Sequence, residues 1–379
     1  MKFVYIGRVS CYMTDAASIR VHNVGAALKE EGHQVDFICQ EGLVPDGEIT
    51  IDGSRYYGVF DSKTSKISKG LEWLFGSKAV KCLRTLIKNE KYDGIILYNA
   101  PVTTAKKVLK LCRQNRISLF NDVTEWYEIS LNKGFFAYVN ATLIDRRIRK
   151  LDYKSDGVIA ISPYFENYYA KRTAVVNLPP VFESYGQPNT SKNEVPKFLY
   201  AGSPSRKDEL FNFVEAVKEI NRENIRVELN IVGAPIPNDS EELASKGIIY
   251  SERMPHEEIL KLLRKHDFSI LLRREARYAK AGYSTKIAEA LYNGTPVFCN
   301  EIGGADVDVI DGFNGIKIPV ADKVTIINSL ERIINMPKEE LSQMKNNAFA
   351  FGKEKYSRES YKKTLCSFMT DSVMKSKSL

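Results

Sequence analysis

The sequence predicts an α/β protein made of two doubly wound, Rossmann-like domains with a cleft between them. Three observations predict it. Short apolar runs that end in glycine alternate with helical stretches through both halves of the chain. A stretch rich in Gly, Pro, Asn, Thr and Ser, residues 185–196, interrupts this alternation once. The chain has 379 residues, more than one core usually organises. The expected division is a first domain at 1–183, a linker at 184–196, a second domain at 197–355, and a last helix at 356–379 that packs back toward the first domain.

In the first domain, residues 3–6 are an apolar run stopped by Gly7, the pattern of a strand buried on both faces. A helix begins near Ser18 with Val21, Val24, Gly25 and Leu28 facing inward, and it closes at Gly32-His33. Residues 35–39 are the next strand, which completes a βαβ unit. The first loop has no Gly-x-Gly-x-x-Gly, which argues against a nicotinamide-dependent dehydrogenase. It carries Asp15 and Ser18 with two alanines between them, residues small enough to let a ligand approach. Residues 41–68 are expected to be irregular. One helix is expected over 70–89, a strand over 94–98, a helix over 103–114 and a strand over 117–120.

Asp122, Glu125 and Trp126 follow that strand at its carboxyl end, where open α/β sheets bind ligands. Asp122 and Glu125 are therefore candidate site carboxylates, with a plain helix N-cap as the alternative for Asp122. The stretch 135–154 carries Phe135, Phe136, Arg146, Arg147, Arg149 and Lys150. Such a helix can rest on a membrane surface. A solvated basic helix is the preferred reading. Strands over 157–161 and 175–178 complete the first domain.

The alternation restarts with a strand and glycine turn at 198–202, followed by Ser203, Arg206, Lys207 and Asp208. Next come a helix to about residue 220, a strand at 227–232 ending in Gly233, a helix from 254 to 264 and a strand at 268–272. Arg273 and Arg274 precede the stretch 281–297, Ala-Gly-Tyr-Ser-Thr-Lys-Ile-Ala-Glu-Ala-Leu-Tyr-Asn-Gly-Thr-Pro-Val. It reads as a short helix capped by Ser284 or Thr285 and ended by a left-handed Gly294. Ile287, Ala290 and Leu291 form its inward face, while Glu289 lies one turn beyond Thr285. A helix start attracts phosphate, and a carboxylate accepts ribose hydroxyls, so this stretch suits a nucleotide. A helix over 357–374 closes the chain.

Composition excludes little else. There are 55 Lys+Arg against 47 Asp+Glu, a net charge of +8. The first 183 residues hold 26 against 20, and the remainder 29 against 27, so the first domain is the more basic. That suits an anionic or membrane-borne partner there. No basic stripe interleaved with aromatics points to nucleic acid. Six cysteines form no Cys-x-x-Cys pair and read as buried thiols in a reducing compartment. The four histidines lack ligand-like spacing, and His256 reads only as a residue near a helix start. The N-terminus lacks the pattern of a secretory signal, and no run has the ~18 apolar residues of a membrane span. The expected location is the cytoplasm, either free or at the inner face of the cell membrane.

The second half resembles the retaining glycosyltransferases of family 4, also called group 1, which have the GT-B fold. Gly282, Tyr283, Ser284, Glu289, Ala290, Gly294, Pro296 and Val297 fit the signature Glu-Gly-Phe-Gly-x-x-x-x-Glu-Ala followed by Gly-x-Pro-Val. The segment from Tyr200-Ala201-Gly202 to Lys207 is similar to the family's phosphate-binding loop, and Gly233 and Asn314-Gly315 fall where it has glycines. The first domain matches more faintly, between Leu28 and Val35.

The resemblance implies a UDP- or GDP-linked sugar donor in the second domain and no cofactor or metal ion. Lys207 and Arg206, with Gly202 and Ser203, would face the diphosphate. Gly282, Tyr283, Ser284 and Thr285 would meet phosphate or sugar, and Glu289 would hold the ribose. Ala281 stands where the family has its first glutamate, a contact to donor-sugar hydroxyls. Arg273, Arg274, Glu275 and Lys286 are the nearby residues able to replace it. A Ser-Thr-Lys run before the second glutamate resembles a subgroup from bacterial polysaccharide synthesis. The first domain would receive a glycan or polyprenyl-linked acceptor. Glu125 or Asp122 would orient its hydroxyl, with the donor phosphate taking the proton. The competing expectations are a nucleotide-sugar 2-epimerase of the same fold and a sugar-binding protein without catalysis.

Overall fold

The computed structural model describes residues 1–12, 15–41, 47–60, 64–129, 134–183, 188–191, 193–204, 208–302 and 305–378. Two compact units emerge, each with its own sheet. The first comprises Met1–Glu183, Ala281–Tyr283 and Arg358–Leu379, and the second Ser184–Lys280 and Ser284–Ser357.

The first unit runs β1 (Lys2–Ser10), α1 (Ala16–Glu30), β2 (Gln34–Glu41), β3 (Gly47–Ile51), β4 (Ser54–Gly58), α2 (Lys66–Phe75), α3 (Ser77–Asn89), β5 (Gly94–Tyr98), α4 (Val102–Asn115), β6 (Ser118–Val123), α5 (Phe135–Lys150), β7 (Gly157–Ala160), α6 (Pro163–Tyr169) and β8 (Val175–Asn177). Its strands lie in the order β3-β4-β2-β1-β5-β6-β7-β8. All neighbours are parallel except β3 and β4. β5, β6 and β7 are buried at every position, which β5 and β7 meet with continuous apolar runs while β6 also buries Ser118, Asn121 and Asp122.

Three expectations change here. Residues 47–58 are not irregular but an antiparallel hairpin, turned by Asp52-Gly53 with φ of 49° and 73°. Asp-Gly is the residue pair such a turn demands. The single helix expected over 70–89 is two, broken at Gly76, whose φ is 56°. An added Cβ there would lie 2.5 Å from Thr104 Cγ2, so this break needs glycine. Finally, α5 is not solvated all round. Arg147 is fully buried, pairs with Asp152 at 3.1 Å, and donates to the Ala100 carbonyl at 2.9 Å.

The second unit runs β9 (Lys197–Ala201), α7 (Leu210–Ile220), β10 (Glu228–Val232), α8 (Ser240–Ser245), β11 (Ile248–Ser251), α9 (His256–Leu263), β12 (Phe268–Leu271), α10 (Arg277–Ala281), α11 (Thr285–Tyr292), β13 (Val297–Asn300), β14 (Gly315–Ile318), α12 (Lys323–Ile334) and α13 (Lys338–Tyr356). The last helix, α14 (Arg358–Ser378), belongs to the first unit, where Leu365, Met369 and Val373 pack with Val21, Val24 and Leu28 of α1. The second sheet is wholly parallel, in the order β11-β10-β9-β12-β13-β14. Numbered within the unit this is 3-2-1-4-5-6, the order of doubly wound nucleotide-binding sheets. Its core is aromatic at the centre: Phe198 stacks on Phe268 with ring centroids 5.2 Å apart, and Phe213 meets Phe298 at 5.4 Å.

Helix α11, the stretch singled out in the sequence, is fixed from behind by α13. Gly352 of α13 is buried, and an added Cβ would lie 2.4 Å from the Leu291 carbonyl. Backbone meets backbone there, so neither helix can give way through a side-chain rotation. Gly352→Ala is therefore expected to destabilise the protein by about 1–3 kcal/mol, read as a lower urea midpoint at constant m-value.

Candidate functional site

In the second sheet the strand order reverses between β9 and β12, the place where doubly wound sheets bind ligands beyond their carboxyl ends. Gly202 follows β9 with φ of 131°, and Gly233 follows β10 with φ of 86°. Both conformations suit glycine. Across this edge lies Lys286, from the first turn of α11. Its ammonium sits 4.1 Å from the Tyr200 ring centroid, a cation–π contact. A Cβ added to Gly202 would come within 3.0 Å of Lys286 Nζ. The glycine thus leaves the space that the lysine uses.

Burial is the main influence on Lys286, and Arg273 adds to it. Together they lower its pKa to about 8, against the opposing pull of Asp208 and Glu289. Asp208 takes part in the same cluster. It accepts from Tyr200 Oη at 3.2 Å and pairs with Arg273 at 3.7 Å. Arg273 is in turn fixed by its backbone: its N–H donates to Asn300 Oδ1 at 2.8 Å, and its carbonyl accepts from Asn300 Nδ2 at 2.9 Å. Arg274 turns to Glu209 instead. The result is a half-buried cationic shelf, Lys286 and Arg273, with one carboxylate beneath it. Such a shelf suits a phosphate, which a preset cation and nearby amides receive without reorganisation.

Glu289 lies one turn further along α11, half-buried, and accepts from His256 Nε2 at 3.0 Å. His256 is therefore not merely a residue near a helix start. The bond to Glu289 raises its pKa, burial opposing. Ser284 occupies the cap position of α11 but makes no side-chain cap bond. Gly294 ends the turn with φ of 68°, the expected left-handed conformation. An added Cβ there would lie 2.8 Å from the Asn189 amide. Gly282, Tyr283 and Ser284 are buried, while Thr285 is half-buried and Ser203 exposed. Ala281, grouped with the first unit, is fully buried, and its carbonyl accepts from Ser162 Oγ at 2.6 Å. Arg206 and Lys207 lie outside the described residues.

The chain also holds an Asp-x-Asp sequence, Asp306-Val307-Asp308, a spacing often associated with a metal ion. Both carboxylates have protein partners. Asp306 accepts from the Ile302 amide at 3.2 Å, and Asp308 accepts from Tyr356 Oη at 3.0 Å and pairs with Lys355 at 3.4 Å.

In the first unit the sequence candidates part company. Asp122 is fully buried on β6. Arg20 donates to it at 2.7 Å and Tyr5 Oη donates to its other oxygen. Arg20 also donates to the Leu178 carbonyl at 2.9 Å. Both oxygens of Asp122 thus serve a buried cluster. Asp15 and Ser18 form a reciprocal capping box at the start of α1. Glu125 is half-buried beyond β6 and bonds Tyr127, whose pKa rises well above its ordinary value through burial and that neighbour. Asn99, at φ of 40°, ties the end of β5 to Thr124 just before it.

Residues 181–351 match the family model described as glycosyl transferases group 1. That stretch, a little under half of the chain, is similar to the group 1 glycosyl transferases. No curated protein matches the chain. Solved structures similar to the whole chain share the GT-B fold of glycosyltransferases. Sucrose-phosphate synthase from Thermosynechococcus elongatus has a TM-score of 0.72 at 15% identity, covering 98% of each chain. The catalytic domain of starch synthase IV from Arabidopsis thaliana, bound to ADP and acarbose, has a TM-score of 0.70 at 13% identity, covering 98% of this chain and 99% of that one. HepE of Anabaena in complex with UDP-glucose has a TM-score of 0.64 at 13% identity, covering 98% and 100%. The matched stretch contains the whole cluster of Tyr200, Asp208, His256, Arg273, Lys286 and Glu289. Sequence reasoning missed Tyr200, Asp208 and His256 as members of that cluster. His256 stands 33 residues from Glu289, and nothing local to either announces the pair.

The raised pKa of His256 depends on Glu289, and its sign can be checked. The pairing stabilises below the ordinary histidine pKa and is lost as pH rises through the raised value. In Glu289→Gln, the His256 ring resonances are expected to titrate at lower pH than in the parent. An unchanged midpoint by NMR would remove the pair from the site.

Proposed function

We propose that this protein transfers a hexose from a UDP- or GDP-linked donor to a glycan or polyprenyl-linked acceptor, with retention of anomeric configuration and without a metal ion. The observation that carries this reading is Lys286, a half-buried cation held across the switch point of a 3-2-1-4-5-6 sheet, one turn from the half-buried Glu289. HepE was captured with UDP-glucose and starch synthase IV with ADP, which supports a nucleoside diphosphate at this edge.

In this reading Lys286 and Arg273 take the diphosphate and offset the charge that builds on it as the sugar leaves. Arg206 and Lys207 join them from the segment after Gly202, as their sequence resemblance implies. Glu289 accepts the ribose hydroxyls, oriented by His256. At the acceptor, the hydroxyl oxygen bonds to the anomeric carbon as the bond from that carbon to the diphosphate oxygen breaks. The proton passes to the departing diphosphate, on the same face. Glu125 in the first unit orients the acceptor hydroxyl. With the leaving group as proton acceptor, no separate base is needed. The reaction belongs to the cytoplasm or the inner face of the membrane. Among the described residues no helix is long and apolar enough to cross a membrane.

Thermal-shift titration with UDP-, GDP- and ADP-sugars tests the donor site, and no shift with any of them would sink it. Lys286→Met is expected to weaken nucleoside diphosphate binding about 10–100-fold, the worth of one charge-assisted contact. The pH dependence has a definite sign. Below about 8 the ammonium is charged and holds the anion; as pH rises above about 8 the parent loses affinity. The variant lacks that decline. A parent whose affinity is flat from pH 7 to 9.5 would exclude Lys286 from the contact.

A further inference from the structure

We propose that the outer face of α2 and α5 in the first unit is a docking surface for an anionic lipid bilayer. The observations are two, and neither involves the donor site. The first is an apolar patch open to solvent. Ile67, Leu71 and Phe75 repeat every four residues along α2 and are 68%, 47% and 43% exposed. The start of α5 adds Phe135, 74% exposed, with Phe136 and Tyr138. The two sets are contiguous. Gly70 lies under the Phe136 ring, where an added Cβ would come within 3.2 Å, and Phe135 meets Phe136 with ring centroids 5.7 Å apart. Large side chains of this kind, left uncovered on two packed helices, are costly in water and call for a cover.

The second observation is the charge around them. Helices α2, α3 and α4 pack against one another in the layer that α5 joins. Together these three helices carry ten Lys and Arg and one acid. That acid, Glu72, is buried and turned inward, accepting from the Lys78 and Ala79 amides at 2.8 and 2.9 Å. The only acid of α5, Asp145, is held by Arg149 and Trp126. The solvent-facing surface of α2, α3 and α4 is therefore cationic without a compensating acid. A second copy of this chain paired through the same face would set cations against cations. An anionic bilayer presents the complement to both features everywhere: phosphates at the level of the lysines, and hydrocarbon below for Leu71 and Phe135.

The test is flotation of the full chain with vesicles of phosphatidylethanolamine and phosphatidylglycerol, against vesicles of phosphatidylcholine alone. The chain is expected to float with the first and to be released by raised salt. Leu71→Ser combined with Phe135→Ser is expected to lower the bound fraction about tenfold at unchanged Tm, since both side chains are exposed. Lys66→Glu with Lys106→Glu is expected to weaken binding to the anionic vesicles. Absence of flotation with either vesicle would overturn the proposal, as would equal binding by parent and variants. A concentration-dependent dimer in light scattering that Leu71→Ser/Phe135→Ser abolishes would also overturn it, and give the face to a second copy. The thermal shift with nucleotide sugars reports on the donor site separately.

Discussion

Helix α11 carries both Lys286 and Glu289, and its position rests on contacts that tolerate no side chain. Behind it, Gly352 lets the backbone of α13 touch the Leu291 carbonyl. At its end, Gly294 lets the chain turn beside the Asn189 amide. In front of it, Gly202 leaves room for the Lys286 ammonium. Asn189 reinforces the second of these from a buried position, donating to the His266 carbonyl at 2.6 Å. A charged group held this way needs little reordering when an anion arrives, and that is where preset cations gain over flexible surface lysines. The same confinement lowers the Lys286 pKa. Desolvation and precise placement are two consequences of one packing decision.

The first unit solves a different problem, that of charges inside a parallel sheet. Arg20, Asp122 and Tyr5 form one closed cluster, and Arg147, Asp152 and Tyr169 another, with Tyr169 Oη donating to Asp152 at 2.6 Å. In both, a carboxylate receives an arginine and a tyrosine. Burial of an ion is costly unless its remaining hydrogen-bonding capacity is met; Tyr5 and Arg20 meet it at Asp122, while Arg147 Nη2 and Asp152 Oδ1 stay buried without a hydrogen bond. Removing one partner would leave the other charge buried, at roughly 3–5 kcal/mol. Asp122 is therefore better understood as part of what holds β1, β6 and α1 together than as an acid for chemistry. Glu125, three residues on and half-buried, escapes that constraint.

This contrast shows what was legible in the sequence. Alternation of apolar runs with helices identified β1, β5 and β12 because burial on both faces writes itself as a continuous run. The same rule failed for β11 and β14, the two edge strands of the second sheet, where Ile249 and Lys317 break the buried run. Asp52-Gly53 announced a hairpin that composition alone disguised as a loop. Among the cations of α5, nothing local told Arg147 from its neighbours. Its partners are Asp152, Tyr169 and the Ala100 carbonyl, and only tertiary packing brings that carbonyl close. At the carboxyl edge of the second sheet, the turn glycines Gly202, Gly233 and Gly294 were legible because a positive φ demands them. His256 was not, because a pair formed between two helices leaves no spacing to read.

Ala281 gains a physical sense from these neighbours. A glutamate in its place would have to be accommodated where the chain is fully buried and its carbonyl is already bonded by Ser162. A carboxylate there would carry a desolvation cost unless a ligand or a cation met it. The nearby charges of the second unit follow another plan: Arg273 and Lys286 are gathered around Asp208, and Glu275 pairs outward with Lys280. Both carboxylates that act on Lys286 are already engaged, Asp208 by Tyr200 and Arg273 and Glu289 by His256.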